Sequence, residues 1–526
     1  MNLATIVEGH PAGAIALRHA GTSVTYGELR QRAGRVRAGL AVRGVGPGER
    51  VALLLPTTPD FVVAYLGVLG AGAIAVPLNP QSPLPELEAE LGQVRPSLLL
   101  VAGDGGDSPV VAAGSLLEER ASVAELESTG TGSDPGGAAG AAGVASAEGL
   151  AGAAGVAGVA GVAGSARPAA GAGAGGLVEV EHAQPAVFLF TSGTAGAPKA
   201  AILTHGNLLS NIEQVELRVG LAVTADDVGV LVVPPFHILG LNAVLGVQLY
   251  AGGALVLVER FDPASLLRTI RDEHVTVLVG VPQLFSALLA ETSAHGDELS
   301  AVRLACSGAA ALGAGVAEAF EARFGVRIQQ GYGLTEASPT VTFPDLEGTW
   351  RPETVGVPLP GVEVRIVDPD GVEVEPGDPG EVLVRGPNVF AGYFEDPAAS
   401  SAAVDPAGWL HTGDVAVMDD EGCLTLVDRV KDLIIVSGFN VFPAEVEVVL
   451  RDHPAVSDAA VVGVPDAEHG ESVKAFVVPA GEPPDEAEIV DFCSRRLARY
   501  KCPTSVSIVK ELPRGLAGKL LRRSVG

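Results

Sequence analysis

The sequence predicts an α/β protein: a large N-terminal domain of doubly wound sheets with a β-rich subdomain, then a small α+β C-terminal domain. Three observations carry this. Short apolar runs alternate with helical segments at the spacing of βαβ units. Several of those runs end in glycine or polar residues, and the carboxyl ends of strands are where a doubly wound sheet collects ligands. Beyond Val355 the texture turns to short alternating strands with Gly, Pro and Asp turns, and beyond Asp432 a second compositional unit begins. At 526 residues the chain exceeds one compact core.

In order, a helix is expected from Thr25 to about Leu40, broken by Gly44 to Gly48, then a strand Val51 to Leu55. Thr58 reads as an N-cap with Pro59 at the first helical position, and that helix ends at Gly70 and Gly72. Ile74 to Leu78 is a strand, Leu84 to Leu91 a helix, Ser97 to Val101 a strand. From about Gly103 to Gly176 the pattern dissolves into Ala/Gly-rich sequence with a tandem Gly-Val-Ala repeat. Its recurrent glycines would each cost about 1 kcal/mol in a helix. It lacks the aromatic anchors of a membrane span and reads as a flexible insertion (103–176). Strands are then expected at Val187 to Phe190, Val228 to Val233, Ala254 to Val258, Val275 to Val279, Leu304 to Ser307 and Arg327 to Gln330. The β-rich part holds Val362 to Val367 and Glu381 to Arg385. The last unit, 433–526, holds Leu433 to Val436, a helix Pro443 to Arg451, strands Val456 to Val464 and Lys474 to Val478, and a helix Asp485 to Leu497.

With 63 acidic against 34 basic residues the net charge is −29, which argues against a nucleic-acid partner and favours simple solubility. Four scattered cysteines fit no zinc or redox spacing and suit a reduced, cytoplasmic setting. Met1 to His10 lacks a basic segment followed by an apolar run, so no secretory leader is expected.

The stretch with the most chemistry follows the apolar run ending at Phe190. Hydroxyls at Thr191, Ser192 and Thr194, glycines at Gly193 and Gly196, and a cation at Lys199 are parts that suit a polyphosphate. It is not a Walker A loop, because Lys199 neither directly follows a glycine nor precedes Ser or Thr. Five further motifs follow: Pro235-Phe236-His237, Gly331 to Glu336, Trp409 to Asp414, Asp428 to Asp432, and Pro513 to Arg522 around Gly518-Lys519. Singly, each has an ordinary explanation: Asp414 as a turn cap, Glu336 as a helix-start acid, His237 in a core, Lys519 on the surface.

Six motifs in this order resemble the acyl-adenylate-forming superfamily, and Lys431 through Pro443 is similar to its fatty acyl-CoA synthetases. The resemblance implies a reaction in which a carboxylate attacks the α-phosphate of ATP and the acyl group then passes to CoA. Positioning and charge stabilisation carry most of such catalysis. It implies that Thr191, Ser192, Gly193, Thr194, Gly196 and Lys199 cradle the β- and γ-phosphates. Glu336, with Thr191 nearby, would hold Mg²⁺. Tyr332 would stack on adenine beside Gly308 and Ala309, with Gly333 and Thr335 also at the nucleotide. Asp414 and Arg429 would contact the ribose. His237 would border the acyl pocket, and Lys519 would bridge carboxylate and phosphate. The small domain would be mobile, turning about a hinge at 429–432 on Lys431 to bring Ser437 and Gly438 toward the pantetheine of CoA. The N-terminal domain is thus expected over 1–428.

Two departures stand inside the loop. The family usually has Thr where this chain has Ala195 and Gly where it has Ala200. A lost hydroxyl bonded to a charged oxygen would forfeit about 1.5–3 kcal/mol. Leu241 lies near a position where some long-chain enzymes carry a tryptophan gate, so chain length does not carry over. Two rivals stand beside the CoA ligase: a ligase loading a carrier-protein phosphopantetheine, and a non-catalytic nucleotide- or acyl-binding relative. The partners expected are small molecules, with no membrane span.

Overall fold

The computed structural model describes residues 1–103, 119–131, 176–191, 198–218, 223–292, 296–346, 348–429, 432–436, 439–466, 470–514, 520, 522 and 525, the side chains at 314, 428, 429, 439, 440 and 470 excepted. Two large sheets face one another. The first runs Arg120–Ala121, Leu98–Val101, Arg50–Leu54, Ile74–Pro77, Pro185–Thr191, Lys199–Thr204, parallel except for the last pair. The second runs Ile328–Gln330, Leu304–Ser307, Val277–Gly280, Val228–Leu231, Ala254–Leu257, Ile15–His19, Thr22–Thr25, again with one antiparallel edge. The largest apolar cluster joins the two, with Val51, Leu53, Val187 and Leu189 from one sheet and Leu231, Leu255 and Val277 from the other.

Local sequence explains the helix starts. Thr25 and Glu28 form a capping box: the Thr25 hydroxyl accepts from Glu28 N–H at 3.2 Å, and Glu28 accepts from Thr25 N–H at 2.8 Å. The helix Tyr26–Val42 that follows buries Leu29, Val36 and Leu40. Thr58 stands at the expected cap of Pro59–Gly70, yet its side chain makes no capping bond. Its carbonyl accepts from Phe61 N–H at 3.1 Å instead, and Pro59 supplies the preset turn.

Two features depart from the sequence expectations. The strand pair Ile15–His19 and Thr22–Thr25 completes the second sheet, with Leu17 opposite Leu255. And regular structure resumes inside 103–176: Arg120–Ala121 adds an edge to the first sheet, and Val123–Thr131 is a helix. Leu126 of that helix is fully buried, and a methyl at Gly39 would run into its carbonyl. Nine residues rich in Glu, Ser, Thr and Gly, with only Val123 and Leu126 buried, leave little periodicity to detect.

The β-rich subdomain is a four-stranded antiparallel sheet, Glu363–Val367, Pro379–Arg385, Leu410–Met418, Leu424–Arg429. The C-terminal domain is a five-stranded sheet of Phe439–Val441, Ile434–Val436, Gly470–Pro479, Val456–Asp466 and Ser505–Ile508. Helices Pro443–Arg451 and Glu486–Ser494 cover it through Val446, Leu450, Ile489 and Cys493. Among the described residues no helix is long and apolar enough to cross a membrane.

Candidate active site

A cleft of about 1940 Å³ opens at the carboxyl ends of both large sheets. The strand Val228–Leu231 is a switch point in the second sheet, with Ala254–Leu257 on one side and Val277–Gly280 on the other. The residues leaving it, Val232 to His237, enter the cleft, as ligand-binding segments do in open α/β sheets. In the first sheet, Leu78 and Asn79 leave Ile74–Pro77 next to the strand that ends at Thr191.

The loop expected to bind phosphate joins two antiparallel strands, not a strand and a helix. Thr191 closes Pro185–Thr191, Lys199 opens Lys199–Thr204, and the two face each other in register. Both line the cleft. Ser192, Gly193, Thr194, Ala195 and Gly196 lie outside the described residues. Ala200 is not among the residues that line the cleft. It is fully buried among Phe188, Ile74 and Leu87, and its carbonyl accepts from Phe394 N–H at 2.8 Å.

Gly308, Ala309, Tyr332, Gly333, Thr335, Glu336 and Asp414 also line the cleft. Ala309 turns the chain after Leu304–Ser307 in the left-handed region, φ 69°. Tyr332 is buried and its hydroxyl donates to Asp414 Oδ2 at 2.8 Å, fixing that carboxylate. Thr335 and Glu336 sit on a single 3₁₀ turn, Thr335–Ala337. Gly333 admits no side chain, since a methyl there would strike the Pro339 carbonyl. The Glu336 carboxylate accepts from the Tyr393 hydroxyl at 2.7 Å. Asp414 pairs in register with Arg429 on the neighbouring strand; the Arg429 side chain lies outside the description.

His237 stands where the segment after Val228–Leu231 turns into the π-helix Leu239–Gly246. Its ring lies 4.9 Å from Phe236, and burial holds the imidazole below its ordinary range, so it is neutral. Beyond it the cleft wall is apolar: Leu239, Ala243, Val247, Val277, Val279 and Leu304. Leu241 is fully buried and is not among the cleft-lining residues, whereas Leu239 and Ala243 are. The Cys306 thiol, pushed up to about 12 by burial, is an inert part of this wall.

The cleft also gathers residues the motifs did not single out. Tyr393 and Asp396 stand beside Glu336 and Lys199, with Lys199 Nζ 3.8 Å from Asp396 Oδ2 and 5.2 Å from the Tyr393 ring centroid. Gly392-Tyr393 resembles an unremarkable loop in sequence. From the hinge segment and the C-terminal domain come Asp432, Leu520 and Arg522, the arginine bonding Asp432 at 3.1 Å and Glu447 at 3.0 Å. Lys431, Ser437, Gly438 and Lys519 lie outside the described residues. Among the described residues no group of three or more His, Cys, Asp or Glu could hold a metal. Magnesium needs only one or two protein oxygens beside phosphates and waters, which a single Glu336 carboxylate and the Thr191 hydroxyl fit.

Comparison with known proteins finds likeness over nearly the whole length. The family described as AMP-binding enzyme matches residues 3–394, and its C-terminal domain matches 445–519. A feruloyl-CoA synthase of an Amycolatopsis species is 36% identical over 515 residues, 97% of this chain and 95% of that one. A long-chain-fatty-acid–CoA ligase of Escherichia coli O157:H7 is 35% identical over 517 residues, 96% and 90%. The solved structure of o-succinylbenzoate coenzyme A synthetase from Bacillus subtilis, in complex with ATP and magnesium ion, superposes with a TM-score of 0.81 at 29% identity, covering 100% of this chain and 99% of that one.

Proposed function

The chain belongs to the AMP-binding enzyme family, and on that premise we propose that it activates a fatty acid as its adenylate and delivers it to CoA. Within the family it is an acid–CoA ligase, with ATP, Mg²⁺ and CoA as its cofactor and co-substrates. The observation that carries the finer proposal is the cleft itself. Phosphate-, ribose- and metal-competent side chains at Thr191, Lys199, Glu336 and Asp414 share it with an apolar wall ending at the neutral His237.

In the first half-reaction a carboxylate oxygen of the acid forms a bond to the α-phosphorus and the bond to pyrophosphate breaks. Lys199 and the hydroxyls and backbone of 191–196 hold the β- and γ-phosphates as charge moves onto them. Glu336 with Thr191 would hold magnesium, which would supply neutralisation of the phosphate charge. Tyr332 offers its ring to adenine while its hydroxyl holds Asp414 for the ribose hydroxyls. Arg429 adds a ribose contact and Lys519 bridges carboxylate and α-phosphate. In the second half-reaction the CoA sulfur attacks the acyl carbon and AMP leaves. The small domain turns about Lys431 so that Ser437 and Gly438 replace Lys519 at the cleft. A cytoplasmic setting belongs to the same proposal, supported by four free cysteines.

Acid-dependent exchange of pyrophosphate into ATP tests the adenylation. Lys519→Ala is expected to abolish exchange, and no exchange with any acid of a broad panel rejects the proposal in favour of a non-catalytic relative. The panel also reads the substrate. Alkanoic acids are expected to surpass hydroxycinnamic acids, and the reverse order would favour an aryl acid, the alternative supported by the feruloyl-CoA synthase relative. AMP release that requires CoA rather than a carrier-protein phosphopantetheine separates the two acceptors.

A further inference from the structure

The segment Phe390–Phe394 belongs to neither large sheet's strands, yet it ties two parts of the cleft together. On one side it docks on the strand that begins at Lys199: Ala391 N–H donates to Ile202 O at 3.0 Å, Ile202 N–H to Gly392 O at 2.9 Å, and Phe394 N–H to Ala200 O at 2.8 Å. On the other side it docks on the Glu336 turn, where Phe390 N–H donates to Glu336 O at 2.9 Å. Tyr393 stands between. Its hydroxyl donates to Glu336 Oε1 at 2.7 Å, and its ring lies 5.2 Å from Lys199 Nζ. Its own backbone is fixed, since Tyr393 N–H donates to Ser400 Oγ at 2.8 Å and its ring packs edge-on against Phe390 at 4.9 Å.

We propose that Tyr393 is a positioning residue that aims the Glu336 carboxylate at the metal of the bound nucleotide and holds the Lys199 ammonium over its ring at the phosphates. The proposal rests on the ligase function above, in which Glu336 and Lys199 meet magnesium and phosphate. A carboxylate with one oxygen engaged by a fixed donor cannot rotate freely, so its second oxygen keeps one direction. Magnesium demands near-octahedral geometry and rewards such restraint. Outer-shell donors to metal ligands typically govern affinity by 10–100-fold. A tyrosine phenol is protonated at neutral pH, so it serves as a donor. The ring interaction is separable from the hydroxyl, because a cation within about 6 Å of an aromatic face is attracted by the ring alone.

That separation defines the experiment. Full-length wild type, Tyr393→Phe and Tyr393→Leu are compared by two binding readouts. One is Mn²⁺ affinity in the presence of a non-hydrolysable ATP analogue, from the spin-resonance signal of free Mn²⁺. The other is metal-free affinity for the same analogue in EDTA. Tyr393→Phe is expected to weaken Mn²⁺ binding about tenfold and to leave metal-free nucleotide affinity within about twofold, a difference near experimental scatter. Tyr393→Leu should show the same metal loss and also bind metal-free nucleotide several-fold more weakly. Unchanged Mn²⁺ affinity in Tyr393→Phe overturns the proposal, as do equal effects of the two variants on both readouts, which would mark Tyr393 as a packing residue. Pyrophosphate exchange by the wild type is measured alongside. Active wild type with an indifferent Tyr393→Phe sinks this inference alone, whereas inactive wild type sinks the ligase function and this inference with it.

Discussion

Glu90 lines the cleft from the helix Leu84–Val94, is 7% exposed, and its Oε2 has no hydrogen-bond partner among the described residues. Burial, aided by Glu86, pushes its carboxyl up to about 7. The unfolded chain ionises near the ordinary value, so between about 4.5 and 7 the unfolded state sheds its proton first. Folding stability therefore falls as pH rises through that window, is unaffected below it, and loses up to about 3 kcal/mol above it. Thermal melts of Glu90→Gln and wild type should diverge from pH 4.5 to 8, the variant gaining steadily; parallel profiles would refute a titrating Glu90. Sequence shows such a residue only as one more acid among many. That Tyr332, Glu336 and Asp414 share one cleft was legible because their types and motif contexts point to one chemistry. Tyr393 was not, because its meaning arises only when the fold brings it to Glu336, a residue 57 positions away.

At the scale of elements, the βαβ alternation was readable because each strand is a short run of apolar residues bounded by glycine or proline. The pair Ile15–His19 and Thr22–Thr25 escaped because its partner lies far along the chain and its own pattern holds only two fully buried residues, Ala16 and Leu17. The helix Val123–Thr131 escaped for a similar reason, and its seat is narrow. Gly39 and Gly130 bring it against the helix Tyr26–Val42, Gly39 under the Leu126 carbonyl and Gly130 under that of Arg35. Gly39→Ala should cost about 1–3 kcal/mol through this contact, outweighing the helix propensity it gains. Gly34→Ala, on the same helix with only the end of Arg37 nearby at 3.8 Å, should be neutral or stabilising by up to about 1 kcal/mol. Melting temperatures of the two variants decide it, and adenylation per folded molecule should be equal in both, since neither glycine lines the cleft. Equal melting temperatures would mean that the helix yields freely.

At the scale of the molecule, the described residues on either side of 132–175 both approach the helix Tyr26–Val42. Gly130 packs on Arg35, while Leu177 and Arg37 both approach Gly70. Replacing 132–175 by a short Gly/Ser linker should preserve adenylation and gain about 1 kcal/mol or less of stability from the shorter closure. Removing 104–176 entire should lower the melting temperature, because it also takes Leu126 and the edge strand Arg120–Ala121. Activity lost with the 132–175 replacement would assign that stretch a role in catalysis. The second sheet carries a different consequence, for the chain as it is made. Ile15–His19 emerges from the ribosome roughly 240 residues before Ala254–Leu257, the strand it must join. At ordinary elongation rates it waits roughly ten to fifty seconds with its apolar side chains unsheltered. The first sheet has all its strands once Lys199–Thr204 is made, whereas the second stays incomplete until the strands from Val228 to Gln330 follow. A polypeptide cut at the phosphate hairpin would give two fragments that each lack a strand the other holds.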